Sequence, residues 1–365
     1  MHVLLLADGQ FAEHERALLE RISAGLLGEG VRTTLALPKN AGTIFSLVSD
    51  PIRYSNRGLI FTQRIRAQQI AARIAGQGND PAKMVSVVHV LGGAAWTMGQ
   101  ELAEIFQAAL ALEIWRGGLV DRAATLKPPQ HIPVAFIAPD RPIERALIDA
   151  GITTQVRVAP WGAYAPPRPT PILKPARSVS IVFCSSGRDS EQCRESFEGV
   201  CRVIAERADS MLFVAESAAR RAGLWSIAER AKVLDRVSLM DRLEDRRDLV
   251  LRCDMIVYPD ARHEQRTLLL DAMAHGLAIV ATADPLVSVI QDEITVAVPV
   301  AGTPVAWADA VRARLNDRTA SVALGLSARE HVRQHRRASA HIAALIDAYT
   351  DLSRTDTLPL PTDRA

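Results

Sequence analysis

The chain has 365 residues, 48% of them apolar, and a net charge of +2 at neutral pH. That is length for two domains and apolar surface for a substantial core, which excludes a globally disordered chain. A charge this small carries no argument for nucleic acid, and no apolar run approaches the roughly 20 residues that span a bilayer.

Met1 to Asp8 is too short and too soon broken by Asp8 to be a secretory leader, and it reads as a first strand and its turn. The cysteines at 184, 193, 201 and 253 have neither metal-finger nor redox-motif spacing, so reduced thiols in a cytoplasmic protein are expected. Leu18, Leu19, Ile22 and Leu26 share one face of a helix over Glu13 to Gly28, and Val31 to Leu37 is a second strand. This opening is that of a doubly wound domain, with Gly9 in the turn after the first strand. Between Arg53 and Arg73 the arginines Arg53, Arg57, Arg64, Arg66 and Arg73 occur without an acid among them, interleaved with Leu59, Ile60, Phe61, Ile65 and Ile70. A basic amphipathic helix there would make peripheral contact with an anionic membrane or hold a phosphorylated acceptor; packed on a sheet, the same pattern leaves a solvated arginine face.

Val85 to Leu91 is a strand carrying His89 and ending in Gly92-Gly93, where a missing Cβ lets backbone approach a ligand. A lone His in such a strand also fits a hydrogen-bonded core residue. A helix over Met98 to Ala111, then Leu112 to Trp115, a strand at Val134 to Ala138, a helix at Arg141 to Asp149 and a strand at Val156 to Ala159 complete the first half. Five prolines between Pro166 and Pro175 exclude both sheet and helix and mark a stiff linker. The expected organisation is a first domain over 1–166, a linker over 167–176, a second domain over 177–335, a final helix over 336–353 and a frayed tail over 354–365.

The second half opens with a strand at Ser178 to Cys184, a turn Ser185 to Asp189 and a helix Gln192 to Arg207. A strand at Met211 to Ala215, a helix at Ala218 to Ala231 and a strand at Val237 to Met240 follow, with a last strand expected at Ile294 to Val298. The central stretch is Asp260 to Thr282, PDARHEQRTLLLDAMAHGLAIVAT with its preceding proline. The apolar strand Met255 to Tyr258 precedes it. Thr267 is placed to cap a helix, Gly276 to end it, and Leu277 to Thr282 to form the next strand. Thr267, Asp271 and His275 recur every four residues and share one helix face, with Leu269, Leu270 and Met273 on the buried side. The start of such a helix, at the carboxyl end of a parallel sheet, is an anion site, and a carboxylate one turn in would accept sugar hydroxyls; a dipole-favoured acid and a simple cap fit the same residues.

LLLDAMAHGLAIVAT resembles the signature of the retaining family-four (group 1) glycosyltransferases. The resemblance implies an α/β fold of the GT-B class: two Rossmann-like doubly wound domains facing a central cleft, with the last helix crossing back to the first. It implies transfer of a hexosyl group from a UDP-, GDP- or ADP-sugar to an acceptor, with retention. In that family two glutamates separated by seven residues flank the donor, the first by the sugar and the second by the ribose. Asp271 stands at the second position and His263 at the first, with Glu264 next to it, so these three are the catalytic candidates. The implied donor-binding set is Gly187, Arg188, Arg194, Arg266, Thr267 and Leu268, in which arginines and the helix start neutralise the diphosphate. No metal or other cofactor is therefore expected. Gly9, His89, Gly92 and Gly93 are implied on the acceptor side of the cleft. Departures from the family pattern cluster at the cleft: His263, Gln265-Arg266, Ile114-Trp115, and Ala283-Asp284 where relatives have Gly-Gly. Such a cluster also fits a GT-B protein that has lost catalysis and serves as a partner or nucleotide-sugar-binding module, and an epimerase on the same fold stands behind both.

Overall fold

A computed structural model describes residues 1–42, 50–55, 62–76, 84–127, 129, 131–152, 156–175 and 177–354. Arg57, Leu59, Ile60, Phe61 and the tail from Thr355 lie outside the described residues. Contacts group the chain into two units, Met1–Trp161 with Ala338–Ala365, and Gly162–Arg337.

The first unit holds β1 (His2–Ala7), α1 (Gly9–His14), α2 (Arg16–Gly28), β2 (Arg32–Pro38), β3 (Ile52–Tyr54), α3 (Gln63–Ala75), β4 (Val87–Leu91), α4 (Trp96–Phe106), β5 (Ala109–Glu113), α5 (Val120–Ala124), β6 (Val134–Ala138), α6 (Arg141–Asp149) and β7 (Val156–Val158). Its seven strands are ordered β3-β2-β1-β4-β5-β6-β7, and the pairs are parallel. Strands β1, β4, β5 and β6 are buried along their whole length, as a parallel sheet covered on both faces requires.

Local conformation explains where this half departs from the sequence pattern. The expected first helix is two, because Glu15 leaves the helical region at φ −126°. Asp8 caps α1 by accepting from the Phe11 N–H at 2.8 Å. Helix α4 stops before Gln107, which turns left-handed at φ 50°, so that Ala109–Glu113 joins the sheet instead of extending the helix. The basic tract is only partly presented to solvent. Arg53 donates to the carbonyls of Pro38 (3.3 Å), Ala41 (2.8 Å) and Gly42 (3.2 Å), and Arg66 is buried. Arg64 and Arg73 are the exposed arginines of the described part. Among the described residues no helix is long and apolar enough to cross a membrane.

The second unit holds β8 (Val179–Phe183), α7 (Ser190–Glu206), β9 (Ser210–Ala215), α8 (Glu216–Ala222), α9 (Leu224–Arg230), β10 (Val237–Met240), α10 (Arg247–Val250), β11 (Met255–Tyr258), α11 (Thr267–His275), β12 (Ala278–Ala281), α12 (Pro304–Asn316) and α13 (Arg318–His335). Its five parallel strands run β10-β9-β8-β11-β12. Gly223, at φ 65°, splits the single helix expected over Ala218 to Ala231. Ile294 to Val298 does not form the expected strand: only isolated bridges occur, Val280 to Ala297 and Asp292 to Val296.

The proline-rich stretch packs within this unit. Thr170 donates its N–H to His275 O at 2.7 Å and its hydroxyl to Leu251 O at 3.1 Å. The Leu173 N–H reaches the buried Asp254 carboxylate at 2.6 Å, and Arg329 donates to Pro166 O. Missing amide donors exclude proline from a ladder, but the intervening Thr170 and Leu173 keep theirs and use them. After α13 the chain leaves the helix at Arg336, and α14 (Ala338–Arg354) returns to the first unit. There Ile342 fills the space that a side chain at Gly25 would need.

Candidate functional site

In the second sheet the strand order changes direction between β8 and β11, so the loops leaving those two strands diverge. Such a switch point, at the carboxyl ends, is where open α/β sheets bind ligands. The loop after β8 is Cys184 to Asp189, and the loop after β11 is Pro259 to Arg266. Gly187 makes the first turn tight. Its φ is +64°, and a Cβ there would meet the backbone of Ala218 at 2.9–3.0 Å, so only glycine fits against α8. Arg188 is thereby carried to the crevice, 38% exposed, with its guanidinium 3.8 Å from the Glu264 carboxylate of the other loop. From α8, Arg221 donates to Ser186 O, adding a second cation at the same turn.

Asp260 ties the two loops together. It is 7% exposed, and its Oδ2 accepts from the Ser186 hydroxyl at 3.0 Å, while Oδ1 is buried without a hydrogen bond. Desolvation pushes its carboxyl up to about 6, against the pull of the Ser185 and Ser186 hydroxyls and of Arg262. Burial likewise pushes the neighbouring Cys184 thiol up to about 12, so it is an inert core thiol.

Helix α11 begins at Thr267, one residue earlier than a cap at Thr267 would give. Arg266 is the N-cap, extended at φ −136°, with no side-chain cap bond. Thr267 and Leu268 are buried, and so are Asp271 and both residues beside it, so the helix is enclosed around its circumference rather than on one face. The Asp271 carboxylate is engaged: Oδ2 accepts from Arg247 Nε at 3.0 Å and Nη2 at 2.8 Å. Arg247 also donates to Glu244 at 2.5 Å, forming a half-buried acid–base–acid trio.

His263 and Asp284 form a pair. Asp284 Oδ2 accepts from the His263 N–H at 2.7 Å, and Oδ1 lies 2.9 Å from the ring Nδ1. The Leu286 N–H donates to the same Oδ1 at 2.9 Å. Arg262 and His263 are consecutive non-glycine residues in the left-handed region, at φ 54° and 59°. Each costs about 1–3 kcal/mol, and such strain collects at functional sites.

Other expected site residues lie elsewhere. Arg194 does not join Arg188: it lines a separate cavity of about 290 Å³ with Ser190, Glu191, Glu195, Glu198, Ile227 and Arg230, on the α9 side of α7. The α7 residue that reaches the crevice edge is Gln192, which donates to Thr282 Oγ1 at 2.8 Å. His89 does not face an opening. It is fully buried, with Nδ1 at 2.7 Å from the Tyr349 hydroxyl and Nε2 at 3.1 Å from Glu113, which in turn accepts from Trp161 at 2.6 Å. Gly92 and Gly93 are packed against protein: side chains there would fall on the Asp8 carboxylate and on Leu119. Gly9 is the first residue of α1, beside its cap. Sequence reading missed Asp260, Arg221, Arg247 and the pairing of Asp284.

The chain has the GT-B fold. The sucrose-phosphate synthase of Thermosynechococcus elongatus superposes with a TM-score of 0.73 at 15% identity, over 97% of this chain and 100% of that one. Anabaena HepE in complex with UDP-glucose gives 0.69 at 13% identity, over 97% and 99%. A putative UDP-N-acetylglucosamine 2-epimerase of Listeria monocytogenes gives 0.64 at 12% identity, over 98% of each. Within the second unit, residues 180–317 match the family model of the group 1 glycosyl transferases. No curated protein matches the sequence.

Proposed function

We propose that the protein is a glycosyltransferase that takes a hexosyl group from a nucleotide-sugar and transfers it with retention. The observation that carries this is the convergence of Gly187-Arg188, Glu264 and the amino end of α11 at the direction change of the second sheet, inside the stretch that matches the group 1 transferases. In this reading Arg188, Arg266 and the positive end of the α11 dipole balance the leaving diphosphate, a preorganised electrostatic contribution that needs no divalent ion. Asp271 holds the ribose while sharing its carboxylate with Arg247, and His263 and Glu264 border the sugar. UDP is the first nucleotide to try, because HepE, similar in fold, is complexed with UDP-glucose. A second reading, a nucleotide-sugar-binding module without transfer, draws on Asp271 being already paired with Arg247.

The test is a melting screen with UDP-, GDP- and ADP-glucose. A ligand at 100 times its Kd adds about 2.7 kcal/mol of stability, an easily read shift. The expected result is a raised melting temperature for one nucleotide class, lost in Arg188→Ala. No response to any of the three would overturn the donor reading, and a response without turnover would leave the binding module.

A further inference from the structure

We infer that His263 and Asp284 form an acid–base dyad, with Asp284 the positioning residue and His263 Nε2 the group that takes the proton of the attacking hydroxyl. The inference rests on the donor reading for its substrate, but the dyad itself rests on geometry. Asp284 is 6% exposed on its side chain and receives three donors: the His263 N–H, the Leu286 N–H and the ring nitrogen Nδ1. A carboxylate in that setting can only accept, so the ring proton belongs on Nδ1. The lone pair is then left on Nε2. That atom makes no hydrogen bond to the described residues, and the side chain is 53% exposed. A base held by a hydrogen bond through its other nitrogen, with its reactive nitrogen open, is the arrangement that general-base catalysis uses.

The backbone points the same way. Arg262 and His263 are both left-handed, and Asp284 holds the second of them by accepting its backbone N–H. Release of that strain is the simplest alternative for the loop, and Asp284 opposes it while fixing the ring. Arg262 and Glu264 flank His263 in its own loop, and Arg188 from the loop after β8 is paired to Glu264.

In the proposed step the acceptor oxygen forms its bond to the anomeric carbon as the bond from that carbon to the diphosphate oxygen breaks. The bonding pair leaves with the diphosphate, and the hydroxyl proton passes to Nε2. The resulting imidazolium is stabilised by Asp284, which takes no proton, and the proton is later lost to water. His263 stands four residues before the helix start assigned to the diphosphate. Attack on the face from which the diphosphate departs, with the proton removed there, is the stereochemical course of retention.

Two measurements decide it. Long-range proton–nitrogen NMR of histidine-labelled protein, assigned with His263→Asn, should show His263 protonated on Nδ1 and not on Nε2. Asp284→Asn should move the ring toward the other tautomer. A wild-type ring carrying its proton on Nε2 overturns the dyad, whether or not a substrate is known. Hydrolysis of the nucleotide-sugar selected by the melting screen, with water as acceptor, should fall at least 100-fold in kcat in His263→Asn, with nucleotide Kd within about threefold of wild type and partial rescue by added imidazole. Asn tolerates the left-handed backbone, so this variant keeps the loop. Wild-type turnover in His263→Asn overturns the proton role while the donor reading stands. A wild type that binds none of the nucleotides overturns the donor reading and the proton role together, and the tautomer result then decides the dyad alone.

Discussion

At the scale of single residues, two of the buried carboxylates of the second unit are in opposite situations. Asp260 is desolvated and underbonded, so folding favours its protonated form. Its carboxyl titrates near 6 in the fold against 3.8 when unperturbed, so the unfolded chain releases this proton first as pH rises. The stability linked to Asp260 is therefore fully present below pH 3.8 and is lost as pH rises through about 6. Asp260→Asn should raise the melting temperature at pH 7.5 and leave it unchanged at pH 4, an effect of up to ~3 kcal/mol, and a melt series across that range reads it. Asp271 is the reverse, a carboxylate compensated by Arg247. Because Arg247 also serves Glu244, Arg247→Met takes the shared cation from two acids and should cost about 1–3 kcal/mol in urea unfolding, more than Asp271→Asn, which leaves the Arg247–Glu244 pair in place. If the two variants were equally stable, the trio would not be a structural unit and Asp271 would be held for a ligand alone.

At the scale of elements, the close contact between α11 and α13 decides whether the amino end of α11 stays where the crevice needs it. Gly276 ends α11 in the left-handed region, and a Cβ at Gly325 would collide with the Gly276 carbonyl, while Arg329 on α13 donates to Ala274 O at 2.6 Å. Gly325→Ala should therefore cost about 1–3 kcal/mol and weaken nucleotide affinity as well, which paired melting and binding curves would show. These elements were legible in the sequence for a definite reason. LLLDAMAHG has a helix former at nearly every position and a glycine stop, and LAIVAT is continuously apolar, so local preference and burial agree. Ile294 to Val298 has the same local preference yet makes only bridges, because strand pairing depends on what lies alongside. His89 in an apolar strand favoured a core residue over a cleft residue, but its partner Tyr349, 260 positions away, could not be read from the sequence. The His263–Asp284 contact spans 21 positions and two loops, a distance over which no periodicity speaks.

At the scale of the molecule, the two units differ in how the chain builds them. The second is continuous, Gly162–Arg337, and every residue assigned to the donor lies inside it. The first is closed by the far end of the chain: α14 supplies the buried residues Ile342, Leu345, Tyr349 and Leu352, and Tyr349 partners His89 Nδ1. Fully burying side chains of this kind contributes about 1.5–3 kcal/mol each, so the four together approach the ~5–15 kcal/mol net stability of a whole domain. A chain of residues 162–337 should therefore fold alone, melt cooperatively and keep the nucleotide-induced shift, whereas residues 1–161 alone should not give a cooperative melt. Tyr349→Phe provides the graded version in the full chain. It leaves a buried imidazole nitrogen without its partner, at about 1–3 kcal/mol, and should speed amide exchange in β4 and β5 while leaving β8 and β11 untouched. Equal acceleration in both sheets would mean that the fold melts as one cooperative body, and the chain of residues 162–337 would then lose its nucleotide response along with its stability.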